Sequence, residues 1–540
     1  MTAGTLRRRQ MLATGAIGTA TALGVGGLLN GCKGHAPLPL QGGWIGARHE
    51  RGHRLRTRQP PSWPTARRRA AVLIVGGGIA GLAAARGFLR RGIADVQLLE
   101  LEDQAGGNAR SHQLAGMACP LGAHYLPVPA AGAATDELSE WLHEIGLLRM
   151  EAGRTFPDER HLCHSPQERL FIAGHWIEGL LPPAEPGSRT LEQYRRFAAL
   201  VTAAQGPAQN RAFTLPAHRA HWTAATAALD NLTFADWLAR EGLDDALLLG
   251  YLDYGCRDDY GAGLTTVSAW AGLHYFASRH GFHAPGDGEH EREGVFTWPE
   301  GNRWLADRLA APLGERVHTA RTVLAVRETR QGVEVLAHDE ARDQPEAWLA
   351  DTVVMAVPLF IAGHLLQEPP PALRAATSAL SHAPWLVANL HLTRPLLDRP
   401  GVAPAWDNVI HGSAGLGYID AMHQSLRPYA GPTVLTAYQA LPVSERAGLL
   451  TPDWRPWAER VLRDLQGAHP DLRERVDRIE LMRWGHAMAI PRPGLQRHAA
   501  LQALRAQRGR LRFAHSDLAG YSVFEEAFTA GCEAAEAPRL

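Results

Sequence analysis

A glycine-rich loop between two apolar runs constrains the fold more than any other feature of this chain. Residues 71–75 read AVLIV and predict a buried parallel strand, and GGGIAG at 76–81 opens a helix that continues to about Arg90. A second strand is predicted over residues 96–99 and ends at Glu100. This order of strand, turn, helix, strand and acid is typical of a Rossmann-like dinucleotide-binding domain.

The glycines of this loop have distinct expected roles. Gly76 permits the tight turn, Gly78 lets a pyrophosphate approach the backbone, and Gly81 allows the helix to pack closely on the strand. Gly77 lies in the same loop, in front of the positive end of the helix. The Glu100 carboxylate is placed to bind both ribose hydroxyls of an adenosine, and because it would repel a phosphorylated ribose, NADP is disfavoured.

Segments further along the chain identify the dinucleotide. GGNARS at 106–111 and PLGAHY at 120–125 follow Glu100, and TWPEG at 297–301, VVMAVP at 353–358 and LRFAHSD at 511–517 come later. Together they resemble the signatures of the flavin-containing amine oxidase superfamily, which also includes phytoene desaturases and protoporphyrinogen oxidases. The resemblance implies FAD rather than NAD. Besides the loop and Glu100, it assigns to the cofactor Gly106, Gly107, Asn108, Gly122, Ala123, the Val323 backbone at the adenine, and Asp517 at the ribityl chain.

The resemblance implies an α/β fold in which a Rossmann-like FAD-binding domain, built from discontinuous segments, carries an inserted α+β substrate domain. The FAD-binding segments are expected at 69–125, 296–360 and 491–540. The substrate domain is expected to be mainly helical over 126–295, where Asn231 looks like the cap of a helix over 233–238, and to form a sheet over 361–490. Alternating valines over 317–335 predict paired strands. Residues 33–68, rich in Pro, Gly, Arg and His, predict a linker.

Several positions depart from the family pattern. The usual arginine after the glycine pair is Asn108, for which Arg110 is the candidate replacement, and the glycine of F-A-G is His515. The lysine that many amine oxidases place near the flavin has no counterpart, since Lys33 is the only lysine of the chain.

The substrate side departs from the pattern as well. Ala487 and Val523 stand at the positions of the aromatic pair of monoamine oxidases. His486 stands where some members attach the flavin through cysteine, which leaves open a covalent histidyl link or an ordinary core or loop histidine.

Candidate substrate residues come from three segments. Tyr125 follows the G-A turn and Tyr521 precedes the last helix, so both are expected near the flavin. In YLDYGCRDDYG at 251–261, Asp258, Asp259 and Tyr260 could receive a cationic amine. The alternative is an ion network centred on Arg257, with Asp258 or Asp259 capping a helix. His274 shares a helix face with Trp270, which suits a pocket wall or, more simply, a stripe facing the core.

The first 32 residues predict an export signal. RRRQML precedes an apolar run rich in Gly, Ala and Thr, and Arg8 and Arg9 fit the twin-arginine form read by a translocase that moves folded proteins. The run ends LNGC, which resembles the lipobox of bacterial lipoproteins, where Cys32 is lipidated. The alternatives are an uncleaved N-terminal anchor and a chance run of arginines. We therefore expect a periplasmic or otherwise extracytoplasmic protein, attached to the membrane if Cys32 carries lipid.

Charge and cysteine usage exclude other classes. The 55 basic and 55 acidic residues give a net charge of zero, without the basic excess of a nucleic-acid-binding protein. The four cysteines beyond Cys32 lie far apart, and no CxxC pair indicates a disulfide framework or a metal site. The HLCH at 161–164 is a weak metal candidate because its neighbours indicate a loop.

Three functions remain open at this stage. The first is oxidation of a C–N bond in an amine or polyamine by hydride transfer to FAD, with oxygen or another acceptor reoxidising the flavin. The second is a C–C desaturase or isomerase of the phytoene desaturase type, and the third a flavin electron-transfer lipoprotein without substrate turnover. Acidic residues converging on the flavin favour the first, a long apolar tunnel the second, and a closed pocket the third.

Overall fold

The computed structural model describes residues 40–536 except 57–61, 130–136, 207–210, 280, 288–293, 426 and 428–429. The predicted export signal, with Cys32 and Lys33, lies outside these residues. Among the described helices, none combines the length and the apolar character needed to cross a bilayer.

The strands of the described residues are numbered in chain order. They are β1 (Gln41–Ile45), β2 (Arg67–Val75), β3 (Val96–Leu99), β4 (Ser111–Leu114), β5 (Met117–Pro120), β6 (Tyr125–Pro127), β7 (Leu148–Glu151), β8 (Arg154–Pro157), β9 (Glu168–Ile172), β10 (His175–Glu178) and β11 (Val295–Thr297). They continue with β12 (Val317–His318), β13 (Arg321–Thr329), β14 (Gly332–Asp339), β15 (Gln344–Met355), β16 (His382–Leu392), β17 (Asp407–Ile410), β18 (Tyr418–Asp420), β19 (Thr433–Ala440), β20 (Val476–Ala489) and β21 (Leu511–Phe513).

The α-helices are numbered in the same way. They are α1 (His49–His53), α2 (Ile79–Arg90), α3 (Glu137–Glu144), α4 (Arg189–Gln205), α5 (Ala224–Asp230), α6 (Phe234–Arg240), α7 (Ala246–Tyr260) and α8 (Ala269–Ala277). They continue with α9 (Arg303–Ala310), α10 (Leu359–Leu365), α11 (Pro371–Ala379), α12 (Arg455–Gln466), α13 (Leu472–Arg475), α14 (Ala499–Arg505) and α15 (Phe524–Ala534).

One sheet contains the strands around the glycine loop. Its order is β12-β3-β2-β15-β14-β13, with β21 pairing beside β15. The pairs among β12, β3, β2, β15 and β21 are parallel, whereas β13, β14 and β15 pair antiparallel. Strands from residues 67–99, 317–355 and 511–513 meet in this sheet, so it forms only when distant segments come together. The predicted α/β class, with a Rossmann-like domain of discontinuous segments, is confirmed.

Two helices pack against each other at very short range beside this sheet. Residues Leu82 to Ala85 of α2 are completely buried. A Cβ added at Gly531 of α15 would lie 2.2 Å from the carbonyl oxygen of Ala80 and 2.8 Å from the Cβ of Ala83. Because interiors are close-packed, a residue larger than glycine at position 531 has no space without moving one helix.

Gly531→Ala should therefore destabilise the protein, although alanine is the better helix former. We expect a loss of about 1–3 kcal/mol in the free energy of unfolding, the usual cost of overpacking. Gly250→Ala is the matched control, because Gly250 is also helical and its added Cβ has no described neighbour within 4 Å. That control should gain up to about 1 kcal/mol. Urea unfolding of both variants measures the difference, and equal stability would contradict the close helix contact.

The second large sheet corrects two expectations about the inserted regions. Its order is β1-β20-β16-β19-β18-β17-β9-β10. β1 lies inside the predicted linker at 33–68, and β9 and β10 lie inside the segment expected to be mainly helical, so both predictions are wrong at these strands. Short edge strands take their stability from pairing: β1 pairs with β20, and the Trp44 indole donates to the Thr451 carbonyl at 3.0 Å. The remaining domain boundaries stay predictions.

The helices α4 to α8 form a separate apolar core in the region predicted to be helical. The helix expected at 233–238 spans Phe234–Arg240 and is capped by Thr233, whose hydroxyl accepts the Asp236 N–H at 3.1 Å. Asn231 instead ends α5, so the expected cap residue was wrong.

Candidate active site

A cavity between the two sheets brings together most of the residues that the sequence singled out. Its volume is about 1750 Å³, which includes the solvent-filled space at its mouth. The predicted cofactor residues on its walls are Gly76, Gly78, Glu100, Gly106, Gly107, Asn108, Gly122, Ala123 and Asp517. The predicted substrate residues on its walls are Tyr125, Asp258 and Asp259.

The N-terminus of α2 opens into this cavity. Gly76 has φ +106°, and its added Cβ would lie 2.4 Å from the Ala356 carbonyl oxygen, so only glycine fits there. Gly78 is the N-cap of α2, and no side chain from this position bonds the first N–H groups of the helix. The free N–H groups and positive end of a helix form a ready site for a phosphate group. This end of the cavity therefore fits the diphosphate of a dinucleotide.

Glu100 is fixed at the end of β3. Its carboxylate accepts the N–H groups of Gly77 and Glu102 at 2.7 and 2.8 Å. Burial raises the pKa of Glu100, and these two bonds and the charge of Arg110 oppose the rise. An immobilised carboxylate beside the helix N-terminus fits a ribose, as predicted.

Three predicted cofactor residues do not line the cavity. Gly77 lies against Glu100, with a 3.0 Å approach to its Oε2 for an added Cβ. Gly81 packs on the loop, where a Cβ would lie 2.0 Å from the Gly76 carbonyl oxygen. Both glycines determine the shape of the loop and do not contribute to the cavity wall. Val323 lies in β13 and is buried in the core beside the sheet.

Asp517 lies in a cluster of imidazoles. Its carboxylate contacts the His382 Nε2 at 3.0 Å and the His515 Nδ1 at 3.2 Å, and it accepts the Leu359 N–H at 2.8 Å. Burial alone would raise its pKa, but His515 and His382 outweigh burial and hold the pKa well below its usual range. Since a carboxylate has about four acceptor positions, Asp517 can still bond a cofactor hydroxyl.

Arg110 does not replace the missing family arginine in the cavity. Its guanidinium donates to the carbonyls of Gly46 and Gly107 and lies 3.4 Å from Glu102. The hypothesis that it supplies the lost charge to the cofactor is therefore wrong. Asn108 instead donates its Nδ2 to the Ala487 carbonyl of β20 at 2.9 Å and links the turn that follows the glycine pair to this strand.

The expected positions of Ala487, Val523 and His486 on the cavity wall agree with the structure. The His486 ring lies beside Phe360, with ring centroids 4.5 Å apart and the ring planes tilted by 38°. Burial lowers the pKa of His486 to about 4, so its imidazole is neutral at pH 7. The covalent link stays a hypothesis.

Acidic side chains converge at one end of the cavity. Asp258 and Asp259 lie in the last turn of α7, whose N-cap is Asp245, so neither caps a helix. Asp259 pairs with Arg279 at 3.1 Å. Burial and then the charge of Asp259 raise the pKa of Asp258 to about 7. Neutral pH is therefore where Asp258 gains and loses its proton.

Three further carboxyl groups were missed by the sequence analysis. Glu525 lines the cavity, and burial raises its pKa to about 7. Asp407 in β17 and Glu168 in β9 are paired positions of two parallel neighbouring strands. Burial, followed by the charges of Asp258 and Glu168, raises the pKa of Asp407 well above its usual range. Binding of a cation next to these carboxyl groups would be favoured, because an added positive charge relieves the repulsion among the carboxylates.

Aromatic side chains enclose the space next to the acidic group. Tyr125, Trp385 and Tyr438 line the cavity. His124 stacks on Tyr438 with ring centroids 4.5 Å apart, and burial lowers the pKa of His124 to about 4. Of these, only Tyr125 was predicted; Trp385 and Tyr438 lie in buried strands whose sequence pattern does not distinguish a core position from a cavity wall.

Three predicted substrate residues lie in the helical core instead. The Tyr260 hydroxyl donates to the Ala271 carbonyl at 2.8 Å, and His274 Nε2 contacts the Thr214 carbonyl at 2.9 Å. The Tyr521 hydroxyl donates to Glu526 at 2.7 Å. None of the three lines the cavity, so their assignment to the pocket was wrong. For His274 the alternative, a stripe facing the core, is correct.

The HLCH segment has no metal-binding arrangement. His161 Nδ1 accepts the Trp298 indole N–H at 2.9 Å. In the described part of the chain, no group of three or more His, Cys, Asp or Glu side chains is arranged to hold a metal ion.

Comparison with known proteins agrees with this geometry. The model of the family "flavin containing amine oxidoreductase" matches residues 79–537. Tryptophan 2-monooxygenase of Pantoea agglomerans pv. gypsophilae is 29% identical over 138 residues, which are 24% of this chain and 23% of that enzyme. The chain thus matches less than a quarter of the length of this curated relative.

Solved structures share the fold at low identity. Putrescine oxidase, solved with putrescine bound, is 19% identical with a TM-score of 0.62, covering 87% of this chain and 99% of its own. Cyclohexylamine oxidase from Brevibacterium oxydans IH-35A is 17% identical with a TM-score of 0.61, covering 86% and 98%. A fatty acid isomerase from P. acnes is 15% identical with a TM-score of 0.55, covering 86% and 97%.

The cofactor site and the family match lead to the same assignment. The glycine loop, the α2 N-terminus and Glu100 fit FAD, and the prediction of FAD and of an FAD-dependent oxidoreductase is confirmed. With most of its length covered by the family model, the chain belongs to the family of flavin containing amine oxidoreductases.

Proposed function

We propose that the protein oxidises a C–N bond of an amine or polyamine. The observation that carries this proposal is the convergence of Asp258 and Asp259 at one end of the cofactor cavity, with Asp407 close enough to Asp258 for their charges to interact. A cationic amine would neutralise part of this negative charge, whereas an apolar substrate would gain nothing from it.

The residues of the cavity would have distinct roles in binding and oxidising the amine. The faces of Tyr125, Tyr438 and Trp385 would contact the cation and exclude water. Asp258 would orient the ammonium group, and with a pKa of about 7 its carboxylate could accept a proton from it near neutral pH. When bound, FAD supplies the chemistry of a two-electron acceptor that oxygen or another acceptor reoxidises.

The alternative function is C–C desaturation or isomerisation. It is favoured by Ala487 and Val523, which put apolar side chains on the cavity wall where monoamine oxidases have aromatic ones. A flavin electron-transfer protein is the third candidate.

Anaerobic flavin reduction tests the three candidates together. The holoprotein would be mixed with monoamines, diamines, aromatic amines and a long-chain unsaturated fatty acid while flavin absorbance is recorded without oxygen. Bleaching by an amine alone supports the proposal. An amine panel without effect, together with a reaction of the fatty acid, would replace it with the alternative; reduction by neither, but by a redox partner, would favour electron transfer.

The pH dependence of amine oxidation should follow the ionisation of Asp258. Below its pKa of about 7 the carboxyl group is neutral, and above that pH it is negative and attracts the ammonium group. We expect KM for the amine to fall by up to about tenfold between roughly pH 6 and pH 8, since one pH unit below the pKa only about a tenth of the groups are ionised. Steady-state oxygen consumption measures this profile. A KM that rises with pH over this interval would contradict the assigned role.

We also propose that the protein is exported in its folded state by the twin-arginine translocase and held by lipid on Cys32. Support comes from RRRQML, the apolar run and LNGC in the leader. In addition, the cofactor cavity is lined by residues from 76–81 and from 515–517, so it exists only after folding, and FAD must be acquired beforehand in the cytoplasm.

Two variants test this proposal. Cys32→Ala should lose labelling by radioactive palmitate, while Cys163→Ala, a half-buried cysteine, should keep it. Replacing Arg8 and Arg9 with lysines should leave the FAD-loaded protein in the cytoplasm. Labelling that persists in Cys32→Ala would contradict lipid attachment at Cys32. Normal export of the lysine variant would contradict the twin-arginine route.

A further inference from the structure

A second cavity is lined by side chains that differ from those of the cofactor cavity. Its walls come from residues 217–222, from 495–508 and from the end of α15. Leu518 and Ala519 also border it, directly after Asp517 of the first cavity. The two cavities therefore share one segment of chain but not one set of side chains.

Charge distinguishes this second cavity. Its walls carry the four arginines Arg219, Arg497, Arg505 and Arg508, and only the two glutamates Glu533 and Glu536. Arg219 also pairs with Glu137, outside the cavity wall, at 2.9 Å, so the arginines exceed the glutamates by one positive charge, which favours a negatively charged ligand.

The Glu533 carboxylate is already paired with basic side chains of the protein. It lies 2.7 Å from His218, 3.1 Å from Arg505 and 3.8 Å from Arg219. Although burial acts to raise its pKa, the bond to His218 and the charges of Arg505 and His218 lower it to about 2. Glu533 therefore stays ionised and balances one arginine at most.

Arg497 carries a charge that its own contacts leave unbalanced. Its Nη2 donates to the carbonyls of His218 and Ala220 at 3.2 and 2.9 Å, and its guanidinium lies 5.7 Å from the Trp222 ring centroid. These partners are neutral, and the hydrogen bonds use one of the three guanidinium nitrogens. The backbone of Arg497 has φ +59°, an unfavourable conformation for a residue with a side chain. Such strain often accompanies a functional role.

Arg508 is the second weakly balanced cation. Its Nη1 donates to the carbonyls of Arg505 and Gln507, and its Nη2 lies 3.7 Å from Glu536, at the long end of the ion-pair range. A planar guanidinium can bind two oxygens of a phosphate at once.

We propose that this cavity binds a phosphate group, with Arg497 and Arg508 as its main donors. The group could come from free inorganic phosphate or from the headgroup of a phospholipid. This site is independent of the amine chemistry proposed above.

Isothermal titration of the FAD-loaded protein with inorganic phosphate tests the site. Ionic strength is held constant with sodium chloride, because screening alone weakens surface charges. We expect saturable binding that is at least tenfold weaker in Arg497→Gln and in Arg508→Gln. Arg455→Gln is the matched control, since Arg455 is an exposed arginine of α12 with a 3.8 Å contact to Asp453, and it should bind phosphate as the unmodified protein does.

The outcomes separate the sources and the competing explanations. Flotation with vesicles of phosphatidylglycerol and phosphatidylcholine, compared with phosphatidylcholine alone, identifies a headgroup if it also depends on Arg508. Flavin absorbance recorded during the titration shows whether phosphate displaces FAD. Absence of binding, displacement of FAD, or equal affinity in the two glutamine variants and the control would each overturn the proposal. Circular dichroism confirms that the variants are folded, and Arg508→Gln keeps the test valid if Arg497→Gln does not fold.

Discussion

Replacing Gly78 with valine should remove FAD from a protein that remains folded. The Gly78 backbone has φ −73° and ψ −178°, an extended conformation that valine adopts readily. An added Cβ would have one described neighbour within 4 Å, the Gly107 Cα at 3.8 Å, so it would extend into the cavity in front of α2. There it would occupy the space of the diphosphate, and we expect the dissociation constant of FAD to rise on the order of 100-fold, about 2.8 kcal/mol.

Fluorescence titration of the apoprotein with FAD measures this loss, and thermal unfolding of the apoprotein checks the fold. Gly250→Val is the matched control, because a Cβ at this helical position has no described neighbour within 4 Å and lies outside the cavity walls. Wild-type affinity in Gly78→Val would mean that the cofactor binds elsewhere. A lower melting temperature of the variant apoprotein would show that the valine disturbs the loop itself.

Asp258→Asn should nearly abolish amine oxidation while FAD binding is retained. The substitution keeps the shape of the side chain but removes the charge that would face the ammonium group. Losing one partner of a buried, hydrogen-bonded charge pair costs about 2–5 kcal/mol, so kcat/KM for the amine should fall by about 30-fold or more. The fall in KM between roughly pH 6 and pH 8 should disappear in the same variant, because the titrating group is gone.

Asp253→Asn is the control for a lost carboxylate on the same helix. Asp253 pairs with Arg257 at 3.0 Å, is more than one third exposed, and does not line the cavity. We expect it to keep the activity of the unmodified protein. An unchanged kcat/KM in Asp258→Asn would contradict the amine proposal while leaving the FAD site intact.

The nucleotide-binding unit was predictable because its signals are local. β2, α2 and β3 were expected over residues 71–75, to about Arg90, and over 96–99, and they lie at Arg67–Val75, Ile79–Arg90 and Val96–Leu99. Apolar periodicity, a glycine with positive φ and an acid at a strand end each act within a few residues. The FAD assignment followed instead from segments further along the chain, at 106–111, 120–125, 297–301, 353–358 and 511–517, through their resemblance to one family.

Strand pairing between distant segments was beyond prediction. β1 has no amphipathic pattern and gains its stability from β20, more than 400 residues away. In the same way, β9 lies in the segment expected to be mainly helical, yet it pairs with β17. A sequence records the propensity of each segment but not the edge to which it will pair.

The sequence by itself determined the Rossmann-like unit, since that unit depends on short-range spacing, and its motifs resemble those of one family, which implied the FAD cofactor. Only the tertiary structure decided which buried polar side chains face the cavity. Tyr260, His274 and Tyr521 are residue types common in pockets, but inside the helical core they bond the carbonyls of Ala271 and Thr214 and the carboxylate of Glu526, respectively. Asp407 and Glu168 have no sequence signal. Pairing of two strands brings them together, and Asp407 lies close enough to Asp258 for that charge to raise its pKa. The physical reason is that periodicity identifies inward-facing positions, whereas packing decides whether the interior next to them is core or cavity.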